Sequence, residues 1–464
     1  MFLWKVLYLV VVVVLGWLLT TKVTPWVIVR VGRLLGFRMR PTPITARRLA
    51  RFRSIKRGYL SFLGISTLFV ISLFLELIVN EKPLIISYNG KIATPALWDW
   101  VSKPLFMFDI SSFEKRSDFG QAGSSEVDYH LFMKTIEDPS VFDEELDKAK
   151  EKMDKAESRF TKTKEPAADA SERAKERYET RKAMFEKRKE QYDKLAGAKA
   201  LFANGGAWIV PTLYPWSPHS HRHDIVKAPP TGPSFANKCF LGTTTGGRDV
   251  LVLLVYGFRI SISFALVVAL IGYIVGVIIG GIQGYYGGWV DIASQRFVEI
   301  WGSIPFLFTI MIVAATITPT FWILALMLII LRSWLGITYY VRGEFYREKS
   351  KDYVQAAIAS GVSDWKIIIK HILPNSIVPV VTFAPFGIVA YISSLVSLDY
   401  LGFGLPTGTP SWGELLRQGL ENVKHHPYLI TTPVIALATT LFAVVMIGEA
   451  VREAFDPKVF SRLR

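Results

Sequence analysis

Apolar runs long enough to cross a bilayer alternate along this chain with short, mostly basic polar islands, and one much longer polar stretch interrupts them. A hydrocarbon layer about 30 Å thick calls for roughly 20 apolar residues at a helical rise of about 1.5 Å. Residues 1–20 and 59–79 meet that requirement near the N-terminus, and 261–282, 299–318, 321–341, 378–398 and 429–448 meet it beyond the interruption. The pattern predicts an all-α, polytopic membrane protein with about seven transmembrane helices. Gly272, Gly276, Gly280 and Gly281 fall along one span, and close helix packing is what small residues there are for.

The interruption, residues 81–240, holds no segment apolar enough to cross again. Within it Phe142, Leu146, Ala149, Met153, Ala156 and Phe160 recur at alternating spacings of four and three, a heptad stripe that predicts a coiled-coil helix. After Glu165 and Pro166, a second charged segment carries Ala174, Tyr178, Phe185, Tyr192 and Leu195, with Arg181 and Arg188 on the same face. The two segments are expected to fold back as an antiparallel helical hairpin over 141–197, with arms about 30 Å long.

Charge then sets the topology. A net charge of +15 over 464 residues would suggest nucleic acid in a soluble protein, but here the basic residues gather beside the spans, which argues against nucleic acid. From Lys22 to Arg57 every charged residue is basic, placing that loop in the cytoplasm and the N-terminus outside. The first segment lacks a small-residue cleavage site and reads as a retained helix, and the connector around 26–37 is suited to anionic membrane lipid. Residues 81–240 then lie outside, while Arg296, Arg342, Arg347, Lys349, Lys351, Arg452 and Lys458 fall on the cytoplasmic side. The scheme is an N-terminal helix and basic connector at 1–57, a transmembrane helix at 58–80, the external region at 81–240, and a core at 241–464 with the last five spans.

Chemistry-bearing motifs are few. The single cysteine, Cys239, excludes an intrachain disulfide and a multi-thiolate zinc site. His219, His221 and His223 alternate in a polar loop without a second ligand cluster, so no metal site is expected. The chain has no phosphate loop of the GxxxxGK[ST] form, no H-E-x-x-H and no G-x-S-x-G. It is therefore expected to be non-catalytic and without a cofactor of its own.

Residues 352–375, DYVQAAIASGVSDWKIIIKHILPN, form a polar island between two spans. Helix formers precede Gly361, Ser363 or Asp364 is placed to cap a second helix, and Pro374 marks the next segment. Ala356, Ala357 and Gly361 keep this helix, turn, helix knob unobstructed, and Tyr353, Trp365 and Ile368 are candidate apolar anchors for a partner. The pattern at Gln355, Ala356, Ala357, Gly361, Leu373 and Pro374 resembles the EAA loop of ABC importer permeases, with Gln355 where the general family has Glu and His371 where it often has Ile. The segment LGTTTGGRD, from Leu241, resembles the one preceding the pore domain in the C-type subunit of oligopeptide and dipeptide importers, with Thr244 in place of the usual Asp. Together with FRSIKRGYLSFLG, SLDYLGFGLP and GEAVREAFDP, these segments resemble the Yej-type branch of that family, in its E-type subunit, to which the first helix and the charged hairpin look like additions.

The resemblance implies a type I permease core and import of peptides or peptide-like compounds by alternating access. It implies a second homologous permease subunit in a heterodimer, two ABC ATPase subunits that bind ATP and Mg, and an extracytoplasmic substrate-binding protein. In the family, the EAA loop is the helix that seats in the ATPase. Arg332, near the centre of a span, and Asp399 and Glu414 at the predicted outer mouth are candidates for the translocation path. Arg332 is equally placed to pair with an acid such as Glu299 or with an acid of a partner, and the two acids to be solvated in their loop or to form an intersubunit salt bridge. An ATP-independent channel or an envelope scaffold built on the hairpin are the competing readings.

Overall fold

A computed structural model describes residues 2–26, 30, 43–105, 115–120, 127, 129–137, 140–163, 165, 171–222, 225 and 228–456. Most of the connector at 26–37, His223 and Lys458 lie outside those residues. The chain divides into two compact units, one made of Met1–Tyr8 and Phe74–Ser217, the other of Leu9–Leu73 and Pro218–Arg464.

Helix α1, Phe2–Leu18, continues through a π-helical turn, Leu19–Val23, and Val6–Trp26 is long and apolar enough to cross a membrane. Helix α2, Lys56–Ser72, is the second expected span, but at 17 residues it stops short of Val79. The Ser72 hydroxyl donates to the Phe69 carbonyl at 2.7 Å, and Phe74 leaves helical geometry with φ −110° and ψ 21°.

The polar unit carries a small sheet that the all-helical expectation did not include. Strand β1, Ile85–Tyr88, lies between β2, Lys91–Ala93, and β3, Ala207–Val210, antiparallel to both. Asn89 and Gly90 supply the two positive-φ residues that a tight hairpin turn requires, at φ 48° and 78°. Helices α3, Ser140–Thr161, and α4, Glu172–Ala203, form the expected antiparallel hairpin: Lys199 pairs with Asp143 near its base, and Phe160 stacks on Phe185 at 5.8 Å towards its tip. The 32-residue second arm is about 48 Å long, well beyond the expected 30 Å. Its seam interposes the half-buried Arg181 and Arg188 between aromatic rings, and Arg181 bonds to Thr163 at 2.5 Å. The hairpin thus has a mixed polar seam instead of the apolar seam of a coiled coil. At the base Phe142, Leu195 and Ala198 join Ile86, Phe119 and Phe132 in one hydrophobic core.

The other unit is built on α5, Val250–Tyr286, whose 37 residues reach about 55 Å. Helices α6, Gly288–Gly302, and α7, Leu335–Lys349, are halves of bent pairs: α6 turns by 63° into Phe306–Thr316, and Phe321–Ser333 turns by 42° into α7. The straight spans expected at 299–318 and 321–341 are thereby corrected. Helices α8, Asp352–Ala359, α9, Val378–Tyr400, α10, Trp412–Glu421, and α11, Tyr428–Phe455, complete the unit. By length and composition four described helices qualify as spans, or six with each bent pair taken as one.

Glycines on α5 decide how closely α7 approaches. A Cβ on Gly272 would lie 1.9 Å from the Ser333 hydroxyl, and one on Gly276 or Gly280 would lie 2.8 or 2.5 Å from the carbonyls of Trp334 and Thr338. Only a residue without a side chain fits such backbone contacts, as the small-residue spacing predicts. Phe264, Leu328, Ile337 and Phe345 fill the core beside this seam.

Candidate functional site

The knob at 352–375 forms as a helix, a turn and a second helical stretch. Gly361 takes φ +71°, a left-handed conformation, and a Cβ there would meet nothing within 4 Å. The turn therefore needs glycine for its backbone, and the space above it is open. Ser363 is the N-cap of Asp364–Lys366, which continues through a π-helical segment, Ile367–Ile372. Asp364 is used otherwise: it accepts a hydrogen bond from the Tyr285 hydroxyl of α5 at 2.7 Å.

Both ends of the knob are tied to the helices beneath it. The Tyr353 hydroxyl donates to Glu348 at 2.7 Å and accepts from the Asn375 amide at 2.9 Å, closing the two ends of the loop on each other. Burial, with the Glu348 carboxylate beside it, holds the Tyr353 hydroxyl above its ordinary pKa, so it stays a donor. The Gln355 amide donates to the Lys349 carbonyl at 2.7 Å, a bond that a carboxylate in its place cannot make. Val354, Ile367 and Ile372 are fully buried and anchor the knob on the core.

Six expected coupling residues thus come together on one loop: Gln355, Ala356, Gly361 and Pro374 are exposed, and Ala357 and Leu373 half-buried. Of the expected apolar anchors Trp365 stands out at 73% exposed, and Tyr353 is exposed too. Ile368 does not: it faces the core while its neighbour Ile369 faces outward, in the π-helical register that follows Lys366, and Ile358 on the first helix is exposed. Beside the knob, Arg342 grips Asp291 with two bonds of 2.5 and 2.6 Å, and the Tyr346 hydroxyl donates to the same carboxylate at 2.5 Å. This fork joins α6 to α7 across 51 residues of chain, and no local pattern announces it.

The three candidate path residues are placed apart in role. Asp399 is buried, accepts from the Leu405 amide at 2.6 Å and from the Ser411 hydroxyl, and so braces the loop after α9. Glu414 lies near it on α10 and holds Arg417 at 2.8 Å and Gln418 at 2.8 Å. Arg332 is exposed, in the π-helical turn Ile329–Ser333 at the 42° bend, with its guanidinium 5.8 Å from the centre of the Phe306 ring. Its expected pairing with Glu299 does not form; Glu299 is engaged by Arg296 at 2.6 Å, one turn away on its own helix.

The LGTTTGGRD segment proves to be a structural joint. Asp249 caps α5 through the amides of Leu251 and Val252, and its other oxygen meets Arg222 at 2.8 Å, both side chains being 1% exposed. Arg248 reaches the Gly408 carbonyl at 3.0 Å, and the Tyr428 hydroxyl bridges towards the carbonyls of Thr231 and Thr243. Cys239 is fully buried beside this pair, and burial first, then the Asp249 charge, lifts its thiol to about 12. Sequence reasoning passed over Arg222, and no local pattern marks it: its partner Asp249 lies 27 residues further along the chain.

Known proteins are similar to this chain in sequence. A family model described as the binding-protein-dependent transport system inner membrane component matches residues 272–461. The chain is 36% identical over 418 residues to the inner membrane ABC transporter permease protein YejE of Escherichia coli, covering 90% of this chain and 98% of that one. It is 34% identical to the peptidoglycan transport system permease protein YejE of Agrobacterium fabrum, over 90% of this chain and 94% of that one. The oligopeptide transport system permease protein OppC of Haemophilus influenzae is 34% identical over 54% of this chain and 79% of its own length.

Proposed function

We propose, for a chain that belongs to the inner-membrane permease family of binding-protein-dependent ABC transporters, that it forms part of the path of a peptide importer and is driven through the 352–375 loop. It is a multi-pass, mainly helical protein of the inner membrane, and a permease subunit. The relatives' names speak of oligopeptides and of peptidoglycan, and a peptide is the chemistry common to both, so a peptide or peptide-bearing compound is the substrate class. Its partners in this reading are a second homologous permease, two ATPase subunits that bind ATP and Mg, and an extracytoplasmic binding protein.

The observation that supports the reading best is the exposed Gly361 turn, open above and tied below. An ATPase surface can approach its backbone, while the Tyr285–Asp364 and Tyr353–Glu348 bonds pass any displacement to α5 and α7. A channel or a scaffold has no use for such a coupling. Gly361→Val strains the turn by about 1–2 kcal/mol, and its Cβ meets no other atom of the chain within 4 Å. In the purified complex reconstituted in vesicles, the variant is expected to assemble in normal amount but to lose peptide uptake by about tenfold or more, with ATP hydrolysis no longer stimulated by loaded binding protein. Normal uptake by the variant would remove the coupling role.

A further inference from the structure

Two indole N–H groups converge on one carbonyl at the bend before α7: Trp301 of α6 and Trp334 both donate to the Ile330 oxygen, at 2.9 and 2.8 Å. From α9 the Tyr391 hydroxyl donates to the Ser333 carbonyl at 3.1 Å. A π-helical turn held by three side chains is a fixed feature of the fold, and such turns recur where a helix must present a functional group. The group presented here is Arg332, with the Phe306 ring beside its guanidinium.

Among the described residues no carboxylate pairs with Arg332, and Glu299, the acid nearest in expectation, is taken by Arg296 and Gln295. A guanidinium at membrane depth does not face lipid; it faces a water-filled path or a partner, and needs an anion there. Its planar fork matches a carboxylate with two parallel bonds, and the Phe306 ring holds the cation in place by its quadrupole. We propose that Arg332 receives the carboxylate of the transported peptide, so that the path itself selects substrates with a free C-terminus. This rests on the peptide reading above.

The test compares one peptide as its free acid and as its C-terminal amide, in vesicles carrying the complete complex with wild-type chain, Arg332→Gln or Arg332→Lys. The same binding protein is used throughout, so its own preference cancels in the comparison. The expected result is an acid-over-amide uptake ratio that falls by about tenfold in Arg332→Gln, through loss of acid uptake, and is largely kept in Arg332→Lys. A ratio unchanged by Arg332→Gln overturns the proposal. So does failure of the Arg332→Gln complex to assemble while Arg332→Lys assembles, which assigns the charge to an acid of the partner permease. If the wild-type complex moves neither form but hydrolyses ATP on addition of another solute, the peptide reading itself fails and takes this inference with it.

Discussion

Arg222 and Asp249 face each other at 2.8 Å, out of contact with water, and each also serves the backbone: Asp249 caps α5, and Arg222 donates to the carbonyl of Lys238 at 3.3 Å. Removing one member of such a pair leaves the other charged and desolvated, a loss of about 3–5 kcal/mol. Arg222→Met is therefore expected to lower the thermal midpoint of the detergent-solubilised protein sharply. Asp249→Asn, which keeps a capping oxygen, still loses the charge pair, and Asp249→Ala, which loses the cap as well, is expected to be worse; denaturation curves of the three variants check the order. Cys239 offers a milder probe of the same joint. With its thiol pushed to about 12 and no surface exposed, it is expected to resist maleimide at pH 7.5 in the folded protein and to react once denatured. Gly361 and the Ser363 cap were legible in the sequence because a turn and a cap are local devices. Arg222 was not, since its partner lies 27 residues on and neither flank carries a periodic pattern.

Between elements, the seam of α5 and α7 shows why one residue type answers two demands. Gly361 is needed for its φ, with empty space around it, whereas Gly276 sits inside a helix and is needed because the Trp334 carbonyl would lie 2.8 Å from any Cβ. Gly276→Leu is expected to force the helices apart and destabilise the fold by at least 1–3 kcal/mol, roughly, while Gly288→Ala, in open space, costs only the strain of its positive φ. Folded yield and thermal midpoint separate the two. The spans were legible as apolar runs, but their bends were not: a segment that is apolar all round has no periodicity to mark where its axis turns. The sheet in the polar unit was likewise missed, although Asn89-Gly90 between short apolar runs is a strong local hairpin signal.

At the scale of the molecule, each unit has its own core, and the loop at 352–375 and Arg332 both belong to Leu9–Leu73 with Pro218–Arg464. The hairpin owes its attachment to Phe142, Leu195 and Ala198 at its base, not to its distal arms. Excising residues 154–189 and joining the arms by a short Gly-Ser turn is expected to leave uptake by the reconstituted complex within about twofold of wild type. A larger loss would give the distal arms a part in transport. Hydropathy, positive charge beside the spans and the knob at 352–375 were determined by the sequence alone, because each depends on residues adjacent along the chain. Only the tertiary structure decided which polar groups brace the fold. Asp399, Glu414 and Arg222 find partners within this chain, whereas Arg332 is left exposed at a bend beside Phe306. The physical reason is that burial free energy adds up residue by residue along a segment, while a charge is satisfied by whatever remote segment folding brings within about 3 Å of it.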